Sequence, residues 1–167
     1  MTIADFDRLD TEQKRELLTK CCGASGWVNK MLAMPIAEDL LDLEEMAEEQ
    51  WYECTEQDWR EAFEHHPKIG DINSLKEKFS NTVEWASNEQ LGVDSATENT
   101  LLALATANKD YENKFGYIFI VCATGKSAAE MLEILNSRLL NLPEEEIEIA
   151  AEEQFKITRL RLEKLFL

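Results

Sequence analysis

The sequence predicts an all-α protein, a single-domain bundle of about eight helices with one buried extended connection at about 117–123. Only six glycines and three prolines occur in 167 residues, so few positions interrupt a helix. Apolar residues recur at spacings of three and four along most of the chain, which is the helical period. A chain of this length buries roughly two thirds of its unfolded surface, and we expect residues 1–167 to form one domain.

The net charge of −17, from 34 acidic and 17 basic residues, limits the partners of this protein. Such a surface repels nucleic acid and the anionic face of a membrane, so we expect neither as a partner. A small anionic substrate stays compatible if a few basic residues gather in one pocket. No apolar run approaches membrane-spanning length, no signal-peptide pattern is visible, and the four cysteines lack C-x-x-C spacing. We therefore expect a cytoplasmic protein with buried thiols.

Four helices are predicted in the first 66 residues. The first runs from about 3 to 18, where Thr11 is the expected cap of its second half, and Gly23 supplies the stop that follows. Apolar residues at 27, 28, 31 and 32 predict the second, and a long amphipathic pattern at about 37–54 predicts the third. Thr55 is the expected N-cap of the fourth, which must end at His66 because Pro67 disfavours helix at the residue before it.

The second half begins with a short helical turn at 74–79 and two helices, at 82–91 and 97–115, that end at Gly92 and Gly116. The run 117–123 is aromatic and β-branched, so propensity favours a strand. No second strand candidate exists to pair with it, and we therefore predict an extended, buried connection. Two further helices are expected, from about Ser127 to Leu140 and from Pro143 onward.

Neither a phosphate-binding loop nor a metal site is predicted. Gly125-Lys126-Ser127 resembles the end of a phosphate-binding loop, but the required first glycine falls at Ile120, so we interpret it as a loop followed by a serine N-cap. The two histidines are adjacent and no His-x-x-x-His or Cys/His pair occurs, so no metal is expected.

Both histidines lie in the stretch 64–71, at the predicted end of a helix. Histidine changes charge near neutral pH, which makes it a candidate for proton transfer. The alternative is that His65 and His66 are simply polar residues at a helix end. Glu89 on its own is one of 34 acids, and Arg159 and Arg161 are favoured near a helix C-terminus by its dipole.

Taken together, four segments resemble the 2-oxo-4-hydroxy-4-carboxy-5-ureidoimidazoline (OHCU) decarboxylase family of urate and purine catabolism. The matching segments are His66-Pro67-Lys68-Ile69-Gly70-Asp71, Glu89-Gln90, the Phe-Gly-aromatic run at 114–122, and Arg159-Leu160-Arg161-Leu162. The resemblance covers essentially the whole chain.

The resemblance implies an all-helical carboxy-lyase that needs no cofactor, is usually a homodimer, and converts OHCU to (S)-allantoin and carbon dioxide. It implies that His66 is the catalytic acid and base, with Glu89 and Arg161 in the catalytic set. The substrate-binding residues that it implies are Pro67, Gln90, Phe119 and Ile120.

One departure keeps other functions open. Three residues before Glu89 the family often has serine, whereas this chain has Ala86, and its hydroxyl at Ser87 points about 100° away around a helix. A decarboxylase or hydrolase acting on a related ureide is therefore an alternative. A non-enzymatic helical interaction domain is another alternative. Convergence of His66, Glu89 and Arg161 on one pocket would support the enzyme, and their scattering over the surface would support the interaction domain.

Overall fold

The computed structural model describes residues 1–68, 72–79 and 91–167, with the backbone alone at residue 78 and residues 91–96. The described residues form helices and connections without a strand, which confirms the all-α prediction. The helices, in chain order, are α1 (Ile3–Asp7), α2 (Thr11–Cys21), α3 (Ser25–Ala33), α4 (Leu40–Tyr52), α5 (Glu56–Glu64), α6 (Ile72–Phe79), α7 (Leu91–Phe115), α8 (Ala128–Arg138) and α9 (Pro143–Phe166).

The chain divides into two compact units. The first comprises Met1–His66 and Ile147–Leu167, and the second comprises Pro67–Glu146. The prediction of one domain over 1–167 stays a prediction.

Tryptophans organise the core of the first unit. Trp27 and Trp51 are fully buried, and their indole N–H groups donate to the main-chain oxygens of Ala47 and Ala151 at 3.0 and 2.9 Å. Trp59 donates to the carbonyl of Trp51 at 3.1 Å. Each indole therefore buries a large apolar ring while its polar group is paired, so the core fixes the positions of α3, α4, α5 and α9.

The predicted first helix is two helices. Asp10, rather than Thr11, is the N-cap of α2, because its carboxylate accepts from the Gln13 amide at 2.9 Å while the Gln13 side chain accepts from the Asp10 amide. This reciprocal pair starts a new helix, so the continuous helix over 3–18 was wrong.

Gly23 does not stop α2 by adopting a left-handed conformation, as glycine at a helix end usually does. The helix ends at Cys21 with an extended Cys22, and only Gly116 and Gly125 have positive φ in the described part of the chain. Glycine is required at 23 for another reason: a Cβ atom there would lie 2.2 Å from Cγ of His65.

In the second unit, the predicted helix stop at Gly92 is wrong, because α7 begins at Leu91 and runs through it. One glycine in a helix costs only about 1 kcal/mol, which a helix of this length tolerates. The predicted helix over 82–91 lies almost wholly outside the described residues. Gly116, with φ of 81°, ends α7 as expected.

The connection at 117–123 is neither strand nor helix, and Tyr117 and Ile120 on it are buried. Side chains take over the role of a neighbouring strand: Arg138 donates to the Ile120 carbonyl at 2.6 Å, and Lys126 donates to the Cys122 carbonyl at 2.7 Å. The loop that follows ends at Ser127, which caps α8 in a reciprocal pair with Glu130, as predicted.

Candidate active site

The end of α5 positions His66. Thr55 and Asp58 form a reciprocal cap at the start of the helix, and Ala62 and Phe63 are buried on its inner face. The helix ends at Glu64, and the His66 amide still donates to the Phe63 carbonyl at 3.2 Å. Pro67 has no amide hydrogen to continue the pattern, so His66 is held at a boundary between helix and loop.

The imidazole of His66 is half-buried and contacts α9. Its Nε2 lies 2.5 Å from Oε1 of Gln154, a side chain with no solvent exposure. Burial lowers the pKa of His66, the hydrogen bond to Gln154 opposes that shift, and the charges of Arg161 and His65 lower the pKa further. The ring is therefore neutral at pH 7 and able to accept a proton.

The two arginines of the closing helix have different surroundings. Arg161 donates from Nη1 to the Cys21 carbonyl at 3.1 Å, and its charge acts on His66. Arg159 instead pairs with Glu44 at 2.9 Å and with Glu163 at 3.8 Å. Arg159 is thus paired with two carboxylates, whereas the contact of Arg161 is to a neutral carbonyl.

Gln154 and Thr158 are residues of this site that the sequence reasoning missed. They follow Ile147, Ala150 and Ala151 on the buried stripe of α9, and their exposed fractions are 0% and 1%. A polar side chain on an apolar stripe must find a hydrogen-bond partner there. That pattern was available in the sequence and indicates a buried polar contact.

Phe119 and Ile120, the predicted substrate-binding pair, lie in the second unit. The Phe119 ring has its centroid 4.6 Å from Cζ of Arg138 and 5.2 Å from that of the Tyr111 ring. Arg138 also binds Glu146, whose carboxylate is fully buried, at 2.5 Å. Tyr111 donates to the same carboxylate at 2.5 Å, so one network anchors both the ring of Phe119 and the carbonyl of Ile120.

The remaining predicted residues are placed as follows. Pro67 follows His66 directly, at the start of the second unit, and is exposed. Glu89, Gln90 and the departure at Ala86 lie outside the described residues. His66 and Arg161 thus both lie in the first unit, where the charge of Arg161 lowers the pKa of His66, and Phe119 and Ile120 lie in the second.

The thiols of the first unit are poor nucleophiles. Burial raises the pKa of Cys21 and Cys54 to about 11 and that of Cys22 to about 12, so all three are protonated at neutral pH. All four cysteines are free; Cys122 is half-buried rather than buried as expected. Within the described residues, no group of three or more His, Cys, Asp or Glu side chains is arranged to hold a metal ion.

The sequence model of the OHCU decarboxylase family matches residues 7–163. The chain belongs to the OHCU decarboxylase family. The resemblance of the four segments is thereby confirmed over nearly the whole chain.

Relatives within the OHCU decarboxylase family include proteins of two different lengths. The chain is 38% identical over 148 residues to the uric acid degradation bifunctional protein TTL of Arabidopsis thaliana, covering 87% of this chain and 45% of that protein. It is 24% identical to the OHCU decarboxylase of Halalkalicoccus jeotgali, covering 99% of this chain and 92% of the other. The chain therefore spans less than half of the plant relative and most of the archaeal one.

A solved OHCU decarboxylase has a similar structure. The crystal structure of that enzyme in the presence of (S)-allantoin superposes with a TM-score of 0.71 at 36% identity, covering 95% of this chain and 99% of the other.

Proposed function

We propose that this chain is an OHCU decarboxylase, a carboxy-lyase that converts OHCU to (S)-allantoin and carbon dioxide. The observation that carries the proposal is a half-buried His66, hydrogen-bonded to the buried Gln154, in a chain whose family match spans residues 7–163. The structural similarity to an enzyme crystallised with (S)-allantoin supports the same reaction.

The chemistry that this site has to perform is limited. When the carboxylate of OHCU leaves as carbon dioxide, the electron pair of the broken C–C bond spreads into the conjugated ring of the substrate. The substrate is its own electron sink, so the proposed reaction uses no cofactor. The protein has to orient the carboxylate, stabilise the charge that develops on the ring, and deliver one proton to the carbon from one face.

Each proposed residue fits one of these tasks. His66, neutral before the reaction, takes up the proton that the hydroxyl of the substrate loses and delivers it to the ring carbon, which sets the handedness of the product. The planar guanidinium of Arg161 binds the anionic oxygens of the substrate through two parallel N–H groups. Glu89 and Gln90 bind the ureido N–H and C=O groups. Pro67, Phe119 and Ile120 are proposed as further substrate-binding residues on the family resemblance.

The test is turnover of freshly prepared OHCU, followed by circular dichroism and by release of carbon dioxide. OHCU decays spontaneously, so the rate is measured with and without protein. We expect optically active (S)-allantoin only with protein, and its loss in His66→Asn with the helical spectrum retained. Racemic product at the spontaneous rate with unchanged protein would refute the proposal.

The alternatives predict different outcomes in the same assay. If Ala86 reflects a different ureide, OHCU is turned over poorly, while a related ureide loses carbon dioxide or is hydrolysed and His66→Asn abolishes that reaction. If the chain is an interaction domain, neither substrate reacts. The pairing of Arg159 with Glu44, beside an Arg161 that has no carboxylate partner among the described residues, favours the enzyme.

The proposal extends to a cytoplasmic homodimer. The family resemblance supports the dimer, and four free cysteines support a reducing compartment. Light scattering at several protein concentrations measures the subunit number, and fractionation of cells that express the tagged protein measures its location. No helix in the described part of the chain is long and apolar enough to cross a membrane.

A further inference from the structure

The side chain of Gln154 is held in one orientation by its own helix. The hydroxyl of Thr158, one turn later, donates to the main-chain oxygen of Gln154 at 3.1 Å. The Cys22 thiol is a second neighbour of this hydroxyl. A hydroxyl has one proton, so with that proton donated the Thr158 oxygen is left to accept, and Nε2 of Gln154 lies 3.2 Å from it. The amide nitrogen therefore points toward Thr158, and the amide oxygen, Oε1, points toward His66.

The orientation of Gln154 decides which nitrogen of His66 carries the proton. Oε1 of an amide can only accept, and it lies 2.5 Å from Nε2 of His66. Nε2 must therefore be the N–H nitrogen of the neutral ring, since two acceptors at this distance repel each other. A neutral imidazole has one N–H and one basic nitrogen, so the basic lone pair lies on Nδ1.

We propose that Gln154 and Thr158 are positioning residues that hold His66 as its Nε2–H tautomer, so that Nδ1 is the atom that accepts and delivers the proton of the reaction. The statement about the tautomer stands on the described contacts alone. The statement about Nδ1 rests on the proposed function of His66.

The arrangement also explains how the charged intermediate is tolerated. When Nδ1 accepts a proton, the positive charge of the imidazolium strengthens the Nε2–H bond to Gln154 Oε1, which is a neutral acceptor and takes no proton itself. The hydrogen bond to Gln154 raises the pKa of His66 against the lowering by burial. Without Gln154, burial and the charge of Arg161 would lower the pKa of His66 with no hydrogen bond to oppose them.

The first measurement needs no substrate. The chain has two histidines, so long-range ¹H–¹⁵N correlation spectra contain two imidazole patterns, and a His65→Gln variant assigns them. At pH 8 we expect the His66 ring to show the Nε2–H pattern alone. An Nδ1–H pattern, or an even mixture of the two, in the unchanged protein overturns the proposal whatever its activity.

Two matched substitutions at Thr158 test whether this residue sets the tautomer of His66. Thr158→Val keeps the shape but removes the acceptor for Gln154 Nε2, so we expect a mixture of tautomers, a fall in kcat of at least about tenfold and a smaller change in KM. Thr158→Ser restores the hydroxyl and is expected to restore the Nε2–H pattern. A pure Nε2–H pattern in the valine variant contradicts the role of Thr158.

Changes at Gln154 give a pH readout that simple loss of packing does not produce. Gln154→Glu places a carboxylate next to Nε2–H, so we expect the acid limb of the kcat/KM profile to move to higher pH. Gln154→Leu is expected to move it to lower pH. A shift of the acid limb in the same direction and by the same amount in both variants contradicts the proposal. If unchanged protein does not act on OHCU, the proposed function fails, and the tautomer spectra still decide the positioning role.

Discussion

Gly23 and His65 are in direct contact: a Cβ atom added at Gly23 would lie 2.2 Å from Cγ and 2.6 Å from Cβ of His65. Real Cβ atoms do not come this close to other carbons, so the turn between α2 and α3 has room for the end of α5 only because residue 23 has no side chain. The neighbour of His65 in the chain is His66, so this contact also fixes where the candidate acid and base lies.

Gly23→Ala is therefore expected to displace the end of α5 and to lower the stability of the first unit by about 1–3 kcal/mol, the usual cost of overpacking. We expect OHCU turnover to fall further than stability alone explains, because His66 moves with His65. Urea unfolding and turnover at a temperature where the variant is folded measure the two effects.

The matched control for Gly23→Ala is a second change that restores the space. His65→Gly removes all three close atoms, Cβ, Cγ and Cδ2. The double variant Gly23→Ala/His65→Gly should therefore recover part of the loss, and the double-mutant cycle should give a coupling energy above about 0.5 kcal/mol. Additive effects would mean that the two residues do not interact.

Arg161→Lys is expected to lose most OHCU turnover, and Arg159→Lys little. Lysine can still pair with Glu44 and Glu163 as a point charge, but it cannot replace the fork with which Arg161 is proposed to bind two substrate oxygens. Steady-state rates of the two variants provide the comparison, and each serves as the control for the other. Greater loss in Arg159→Lys would assign substrate binding to Arg159 instead of Arg161.

Arg138→Met is expected to destabilise the protein by about 3–5 kcal/mol, because it leaves the buried charge of Glu146 without its cationic partner. The double variant Arg138→Met/Glu146→Gln removes that charge and should recover much of the loss, since an amide can still accept from Tyr111. Chemical denaturation measures the free energy of unfolding of both variants. A neutral effect of Arg138→Met would contradict the anchoring of the Ile120 carbonyl by this network.

The lowered pKa of His66 predicts a pH effect on stability. An unfolded histidine has a pKa of about 6.5, so between that value and the lower folded value the unfolded state binds more protons. The stability contributed by His66 is complete above about pH 6.5 and is lost as the pH falls through the folded pKa. Urea unfolding from pH 8 to pH 5 should therefore show a steeper decline for the unchanged protein than for His66→Asn. Parallel curves would mean that the ring is not held neutral by the fold.

The sequence was sufficient to predict the features of the fold that depend on helical periodicity, on proline and on local capping residues. The helical class, the end of α5 before His66 and the serine cap of α8 all followed from local rules. The break at Asp10 was missed because a reciprocal cap can divide an apolar pattern without interrupting its period. The reason for glycine at 23 could not be predicted, because it comes from His65, 42 positions later in the chain.

Two contacts between distant parts of the sequence, one in each unit, were also beyond local rules. The hydrogen bond between His66 and Gln154 joins residues that are 88 positions apart, and no local spacing indicates it. The connection at 117–123 was predicted as extended, but its backbone is bound by Arg138 and Lys126, and the choice of those side chains depends on how α8 packs. Glu89 and Gln90 remain predictions from the family resemblance.

The cysteines provide a natural probe of opening within the first unit. Cys21, Cys22 and Cys54 are protonated and buried, so an alkylating reagent modifies them only when this unit opens. Counting modified thiols by mass spectrometry over time would thus give the opening rate of the first unit, in unlabelled protein and without any engineered substitution.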